Sequence, residues 1–354
     1  MSDTTQPTEL AEPLFVPDAD RAMEFARFCP IYTPTELLTV EDNGATVFVK
    51  NESTRFGLGS FKALGGIYAV AQLLSDTVEA ETGVRPKLSD LHSSDVKTIA
   101  ATQTYVCASA GNHGMAVATG AKLFGARARI HVSSEVPSSF ATRLRERGAE
   151  ACISGSTYEE SLEIANKDVL DSGAHLLADG SWAGYTYPPS RVMEGYTVMA
   201  RELKESFLSS GLWPTDVFLQ AGVGGLAAAI TYIIRHEWKV QPRIVIVEPT
   251  AAECLALSAK AGKLVEASGP ISNMGRLDCK AASLLSFDTL IRSDVEYRSI
   301  SDADAQHAVD RLGELGLGTT PSGGAGFGVW LEDREQQKTA GDRPLVIVSE
   351  QALD

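Results

Sequence analysis

Asn51-Glu52-Ser53-Thr54-Arg55-Phe56-Gly57-Leu58-Gly59-Ser60-Phe61-Lys62-Ala63-Leu64-Gly65-Gly66 sets a lysine between small, bend-permitting residues and an apolar helical run. A lysine so placed is held against a packed element, where its amine can be desolvated and made nucleophilic, as a Schiff-base lysine requires. Alone the pattern does not settle the matter, because most lysines are solvated surface charges. The segments around it decide.

Outward from Lys62, short β-branched or apolar runs alternate with helical patterns. Strands are expected at 45–49, 104–108, 128–132, 217–220, 243–247 and 345–349, and helices at 63–74, 113–124, 138–147, 191–207 and 226–235. The alternation predicts an α/β protein of parallel sheets covered by helices. The stretches 75–97 and 260–282, rich in acidic, Ser, Gly and Pro residues, read as domain crossings or loops. The polar, Thr/Pro-containing start reads as a loose arm, with order beginning near Leu14.

Composition narrows the function classes. With 354 residues, 44% hydrophobic and 22% charged, the chain can build two domains or one large α/β body. A formal charge of −15 argues against nucleic acid or an anionic membrane as main partner, while leaving an anionic small substrate possible in a locally positive pocket. No apolar run of about 18 residues and no signal-like start is visible, and the expected compartment is the cytoplasm. Five scattered cysteines (Cys29, Cys107, Cys152, Cys254, Cys279) without a Cys-x-x-Cys pair fit reduced thiols, and no metal site is expected.

Three glycine-containing loops carry the chemical signal. Ala108-Ser109-Ala110-Gly111-Asn112-His113-Gly114 lies between an expected strand and helix, so its amides and the helix N-terminus can hold a carboxylate or phosphate. A tight turn that needs Gly for geometry alone is the competing reading. Gly222-Val223-Gly224-Gly225-Leu226 follows a strand and precedes an Ala-rich helix, where missing side chains let amides approach an anion. A dinucleotide loop is the weaker reading, because position 227 is Ala227 and the acidic residue expected about 20 positions on rests on Glu248 alone. The third loop, Thr319-Thr320-Pro321-Ser322-Gly323-Gly324-Ala325-Gly326, reads as a turn. A lysine, a carboxylate-type loop and a phosphate cup are together the parts that hold pyridoxal phosphate and an amino acid.

In this order the segments resemble the tryptophan synthase β-type (fold type II) pyridoxal-phosphate enzymes, and within them the diaminopropionate ammonia-lyases. The resemblance runs from about Tyr32 onward. It rests on Arg55-Phe56-Gly57-Leu58 with Phe61 to Gly66, on Gly111 to Gly114, on Asp179-Gly180-Ser181-Trp182-Ala183-Gly184-Tyr185, on Gly222 to Gly225, and on Met274-Gly275-Arg276-Leu277-Asp278-Cys279. It implies that Lys62 carries the cofactor as a Schiff base, that Asn112 contacts the pyridine hydroxyl, and that Gly222, Val223, Gly224 and Gly225 wrap the phosphate. Ser349 would face the ring nitrogen, and Ser109 with the amides of Ala110 and Gly111 would receive the substrate carboxylate. Asp179 is the candidate acid or base, a surface or N-cap aspartate being the alternative.

The resemblance also implies a homodimer and two domains, a large one from residues 14–84 and 211–354 and a small one over 85–210, after an arm at 1–13. The expected reaction is β-elimination from a β-amino- or β-hydroxy-substituted amino acid, giving a 2-keto acid and ammonia. Alternatives are a serine/threonine-type dehydratase, a β-replacement synthase of the cysteine-synthase type, and a non-catalytic module that keeps the fold. Two departures bear on the substrate. Ala110 stands where the ammonia-lyase pattern has an aspartate implicated in handling the D-isomer, which predicts action on one stereoisomer, L, or a different β-substituted substrate. Pro321 stands beside a Ser-Gly pair where relatives often carry an acid.

Overall fold

A computed structural model describes residues 12–42, 44–109, 111–134, 136 and 138–352. The expected arm falls mostly on residues 1–11, outside the described ones. Order is established by Leu14, whose amide donates to Asp288, and Phe15 is buried.

Among the described residues, ten strands form two sheets. The strands are β1 (Leu37–Asp42), β2 (Ala45–Asn51), β3 (Thr104–Ala108), β4 (Arg127–Val132), β5 (Glu150–Ile153), β6 (His175–Leu176), β7 (Asp216–Gln220), β8 (Arg243–Pro249), β9 (Glu296–Ile300) and β10 (Pro344–Val348). The larger sheet has the order β1-β2-β10-β7-β8-β9, and the smaller has the order β5-β4-β3-β6. Among these strands, the β1–β2 pair alone is antiparallel.

The helices are α1 (Ala19–Phe28), α2 (Lys62–Thr82), α3 (Ser94–Ala100), α4 (Asn112–Phe124), α5 (Ser138–Glu146), α6 (Tyr158–Ser172), α7 (Tyr187–Ser210), α8 (Gly225–Glu237), α9 (Cys254–Ala261), α10 (Leu284–Ile291), α11 (Asp302–Glu314) and α12 (Pro321–Glu335). None is long and apolar enough to cross a membrane.

The central strands are apolar on both faces, as parallel strands between helix layers must be. Side chains alternate across the sheet, so Val217, Leu219, Ile244, Ile246, Leu345 and Ile347 enter one core while Phe218, Val245, Val247, Val346 and Val348 enter another with Phe327 and Trp330 of α12.

Two sequence expectations need correction. The stretch 75–97 is largely helical: α2 runs on to Thr82, a 3₁₀ turn spans Leu88–His92, and α3 follows. Ser75 and Thr77 do not break α2, because their hydroxyls donate back to the carbonyls of Ala71 (2.8 Å) and Leu73 (3.0 Å). The third glycine loop is not a turn but the start of α12, with Thr320 as N-cap and Pro321 in the first turn. Its glycines serve close packing: a Cβ on Gly326 would stand 3.0 Å from the Phe218 carbonyl oxygen.

The turn into α2 is held by a buried ionic cluster. Arg55 donates to both oxygens of Glu52 (2.7 Å each) and to both of Glu202 on α7 (2.7 and 2.8 Å), while Lys50 donates to Glu202 at 2.5 Å. Two cations thus meet two carboxylates away from water, and Phe56 next to Arg55 takes a left-handed backbone, φ +53°. Removing one charge leaves another uncompensated. Glu202→Gln is therefore expected to cost about 3–5 kcal/mol of stability, measured by denaturant unfolding; a loss within about 0.5 kcal/mol would make the cluster dispensable.

Candidate active site

Lys62 is the first residue of α2, and its position is fixed from both sides. Its amide donates to Ser60 Oγ (3.2 Å), the Phe61 amide to the Ser349 carbonyl (3.1 Å), and the Gln351 amide to the Gly59 carbonyl (2.9 Å). The chain entering α2 is thereby stitched to the chain leaving β10.

The Lys62 ammonium pairs with the Asp179 carboxylate, each side chain about one-fifth exposed. Burial on its own would lower the lysine pKa; Asp179 outweighs it and holds the amine above its ordinary value. Burial would likewise raise Asp179, but Lys62, aided by His113, holds it well below the usual carboxylate range. The lysine is therefore a stabilised cation here rather than the desolvated neutral amine expected from its sequence context. Asp179 lies in the loop after β6 and caps no helix.

That loop is anchored at three points. His113 Nε2 lies 2.8 Å from the Leu177 carbonyl oxygen, and burial lowers the pKa of this ring. The Tyr185 hydroxyl donates to the Leu176 carbonyl (2.9 Å) and accepts from the Ala178 amide (3.1 Å). Ser181 meets Ser283 hydroxyl to hydroxyl at 2.6 Å, and the Ser283 amide donates to the Val223 carbonyl (3.0 Å). The aspartate loop is so linked to the Gly222–Gly225 turn by two serines.

Gly224 caps α8 in a left-handed conformation, φ +96°, and no side chain caps that helix. A Cβ on Gly222 would come within 2.9 Å of Cys279 Sγ and 3.0 Å of the Arg276 carbonyl oxygen. The turn is a side-chain-free cradle at a helix N-terminus, the arrangement that takes a phosphate. Tyr196 of α7 packs its ring against both this turn and α2, since Cβ atoms on Gly225 and Gly65 would lie 3.6 and 2.5 Å from it. Its buried hydroxyl has no hydrogen-bond partner among the described residues.

The other loop opens α4. Ser109 Oγ accepts the amides of Gly111 (3.3 Å) and Gly114 (3.0 Å), the latter in the first turn of α4, and the N-cap residue Gly111 has no side chain to add. Ala110, given a part in carboxylate binding and stereochemistry, lies outside the described residues. Asn112 donates its side-chain amide to Glu350 at 2.5 Å, and Glu350 also accepts from Thr320 and lies 2.8 Å from Arg276 Nε. Ser349, one residue earlier, is buried at the end of β10.

Lys62, Asp179, Asn112, Ser349, the Ser109–Gly111 loop and the Gly222–Gly225 turn thus converge where β3, β7 and β10 end, as α/β architecture favours. Sequence reasoning missed Tyr196, Glu350 and any role for Arg276. Arg276 stood inside a quoted motif, whereas nothing local marks a tyrosine within a helix or a glutamate after a strand. Glu248, the weak ribose candidate, is spent otherwise: it accepts the amides of Leu255 (2.7 Å) and Ala256 (2.8 Å) at the start of α9.

Comparison with known proteins agrees with this geometry. Residues 29–350 match the family model described as pyridoxal-phosphate dependent enzyme. Diaminopropionate ammonia-lyase from Escherichia coli K12 is 30% identical over 324 residues, 88% of this chain and 80% of that protein. The bovine L-serine dehydratase/L-threonine deaminase is 32% identical over 166 residues, 46% of each chain. The crystal structure of the E. coli ammonia-lyase in complex with D-serine aligns with TM-score 0.84 at 28% identity, covering 96% of this chain and 90% of that one. The same enzyme in complex with an aminoacrylate-PLP azomethine reaction intermediate aligns at 0.83 and 27%, covering 97% and 91%. This chain belongs to the pyridoxal-phosphate dependent enzyme family, has the fold type II architecture, and uses pyridoxal phosphate. The uncapped glycine cradle and the unpartnered Tyr196 hydroxyl fit that group.

Gly222→Ala is expected to weaken cofactor binding about 10- to 100-fold, the effect of 1–3 kcal/mol of overpacking, and more than Gly225→Ala, whose methyl meets only ordinary contacts. Titration of cofactor absorbance reads both, and equal losses would disprove the cradle. Burial pushes the Glu248 carboxyl up from 4.5 to about 7. A pKa raised on folding contributes stability that is full below about pH 4.5 and lost as pH rises through about 7. Across that window Glu248→Gln should gain Tm relative to the unmodified protein, and a pH-independent difference would contradict this.

Proposed function

We propose that this chain catalyses β-elimination from a β-amino- or β-hydroxy-substituted amino acid, yielding a 2-keto acid and ammonia, as a lyase similar to the diaminopropionate ammonia-lyases. The observation that carries it is the Lys62–Asp179 pair, set between a carboxylate-type loop and a phosphate cradle. Pyridoxal phosphate, when bound, supplies the electron sink that acidifies the α-proton and lets the β-substituent leave.

Lys62 is the residue that would hold the cofactor covalently and, once its amine is free, accept the α-proton. Gly222, Val223, Gly224 and Gly225 would hold the phosphate, Asn112 and Ser349 would face the ring, and Ser109 with the Gly111 amide would orient the substrate carboxylate. Asp179 gains its role from the same pair. While Lys62 is an ammonium, Asp179 stays ionised; when the lysine charge is gone, burial dominates and draws the carboxyl toward its protonated form. It then can hand a proton to the departing amine or hydroxyl. Lysine and aspartate thus exchange protonation states within one contact.

Five free cysteines support a reducing compartment, and the family resemblance supports a homodimer with a small domain over 85–210. The test is keto acid and ammonia release from L- and D-diaminopropionate, serine, threonine and 3-hydroxyaspartate. Either the L-isomer of diaminopropionate alone reacts or another β-substituted amino acid is the substrate, and equal turnover of both isomers would defeat the stereochemical reading. Asp179→Asn should lower kcat by about 10²–10⁴-fold, and Lys62→Ala should abolish turnover along with the lysine-bound cofactor spectrum. Formation of a new amino acid from added sulfide, with no keto acid, would replace elimination by β-replacement.

A further inference from the structure

Arg276 is an active-site cation that the elimination chemistry leaves unused. Its backbone is fixed: the amide donates to Ser322 Oγ (3.1 Å), and the carbonyl oxygen lies against Gly222, where a Cβ would meet it at 3.0 Å. Its side chain reaches across to the carboxylate loop, with Nε standing 3.7 Å from the Cβ position of Gly111.

Arg276 Nε forms an ion pair with a Glu350 oxygen at 2.8 Å, without an aligned N–H, and no described residue accepts a hydrogen bond from Nη1 or Nη2. The planar guanidinium is thus held in place on its Nε side by Glu350, one-third exposed, with the donors of its outer nitrogens unspent. The two carboxylates nearby are engaged. Asp179 is paired with Lys62, and Glu350 accepts from Asn112 and Thr320. A β-ammonium group finds both of these anions engaged, whereas a second carboxylate finds the outer edge of the guanidinium, Nη1 and Nη2, without an acceptor.

The substrate's own α-carboxylate does not need this arginine. Ser109 Oγ takes the Gly111 and Gly114 amides, and the amides of Asn112 and His113 in the first turn of α4 have no described acceptor. Those amides and the Ser109 hydroxyl receive one carboxylate, with the helix N-terminus favouring its charge. The arginine lies beyond them.

We infer that Arg276 selects a substrate with a second carboxylate, a β-substituted amino dicarboxylate such as 3-hydroxyaspartate, bound through the guanidinium fork. Bidentate Arg–carboxylate pairing is strong and geometrically selective. The inference rests on the β-elimination reading and names the substrate class within it.

The test uses holoenzyme and two amino acids without a leaving group, L-aspartate and L-alanine, whose binding is measured by calorimetry. Unmodified enzyme is expected to bind aspartate at least about tenfold tighter than alanine, and Arg276→Gln to reduce that ratio about 10- to 100-fold, the range of a charged hydrogen bond. The kcat/KM ratio of 3-hydroxyaspartate to serine should fall in parallel. Equal binding of aspartate and alanine by unmodified enzyme overturns the inference, whether or not the variant folds. So does a variant that weakens both ligands alike, which would place Arg276 at the α-carboxylate. Failure of any β-substituted amino acid to yield keto acid would instead defeat the elimination reading, and the aspartate-to-alanine ratio would still decide the role of Arg276.

Discussion

The buried contact of Arg55 with Glu52 and Glu202 is the constraint from which the rest of the site hangs. It joins the end of β2, the turn before α2 and the long helix α7 in one place without water. Its worth is specificity more than stability, because desolvating two cations and two carboxylates costs about as much as their pairing returns. What it determines is register: α7 sits so that Tyr196 lies between α2 and the phosphate cradle, and the turn delivers Lys62 to the first position of α2. A second buried carboxylate on α7, Glu194, accepts from Arg21 of α1 and Tyr68 of α2. Two acids on one helix therefore orient the elements around the lysine.

The same pattern bears on where the charge of −15 lies: acids paired with arginine inside the protein cancel, so the excess belongs to the other carboxylates. Asp42, Glu52, Glu194, Asp216 and Asp333 are fully buried, and each is met by arginine. These five of the 46 acidic residues are internal framework. Net charge still argues against a nucleic-acid partner, but it does not describe the pocket, where a lysine–aspartate pair and an arginine–glutamate contact sit side by side. Local pairing, not the total, sets the field that a substrate meets.

How much of this was legible depended on whether the signal was local. Strands β3, β7, β8 and β10 announced themselves as apolar runs, and Gly222–Gly225 as a strand-to-helix turn lacking side chains, because each property is written in consecutive residues. The glycines of α12 misled, since closeness to Phe218 and Ile300 is a tertiary cause for glycine that imitates a turn. Ser75 and Thr77 misled for the opposite reason, their hydroxyls being satisfied inside the helix they seemed to interrupt. The strands β1, β5, β6 and β9 were missed because they are short or half-buried edge elements without a continuous apolar run. Glu350 and Tyr196 acquire significance only through partners far away in sequence.

The two serines between Asp179 and the Gly222–Gly225 turn bear on how such a site stays ordered. Ser181 and Ser283 exchange a short hydroxyl contact, Ser283 reaches the Val223 carbonyl, and Ser181 accepts the Leu285 amide. An anion settling on the cradle would tighten the turn that holds Val223, and through these hydrogen bonds the loop that carries Asp179. On the proposed roles of these residues, cofactor binding and placement of Asp179 would be one event rather than two. The lysine needs no separate device, because the same aspartate holds its charge.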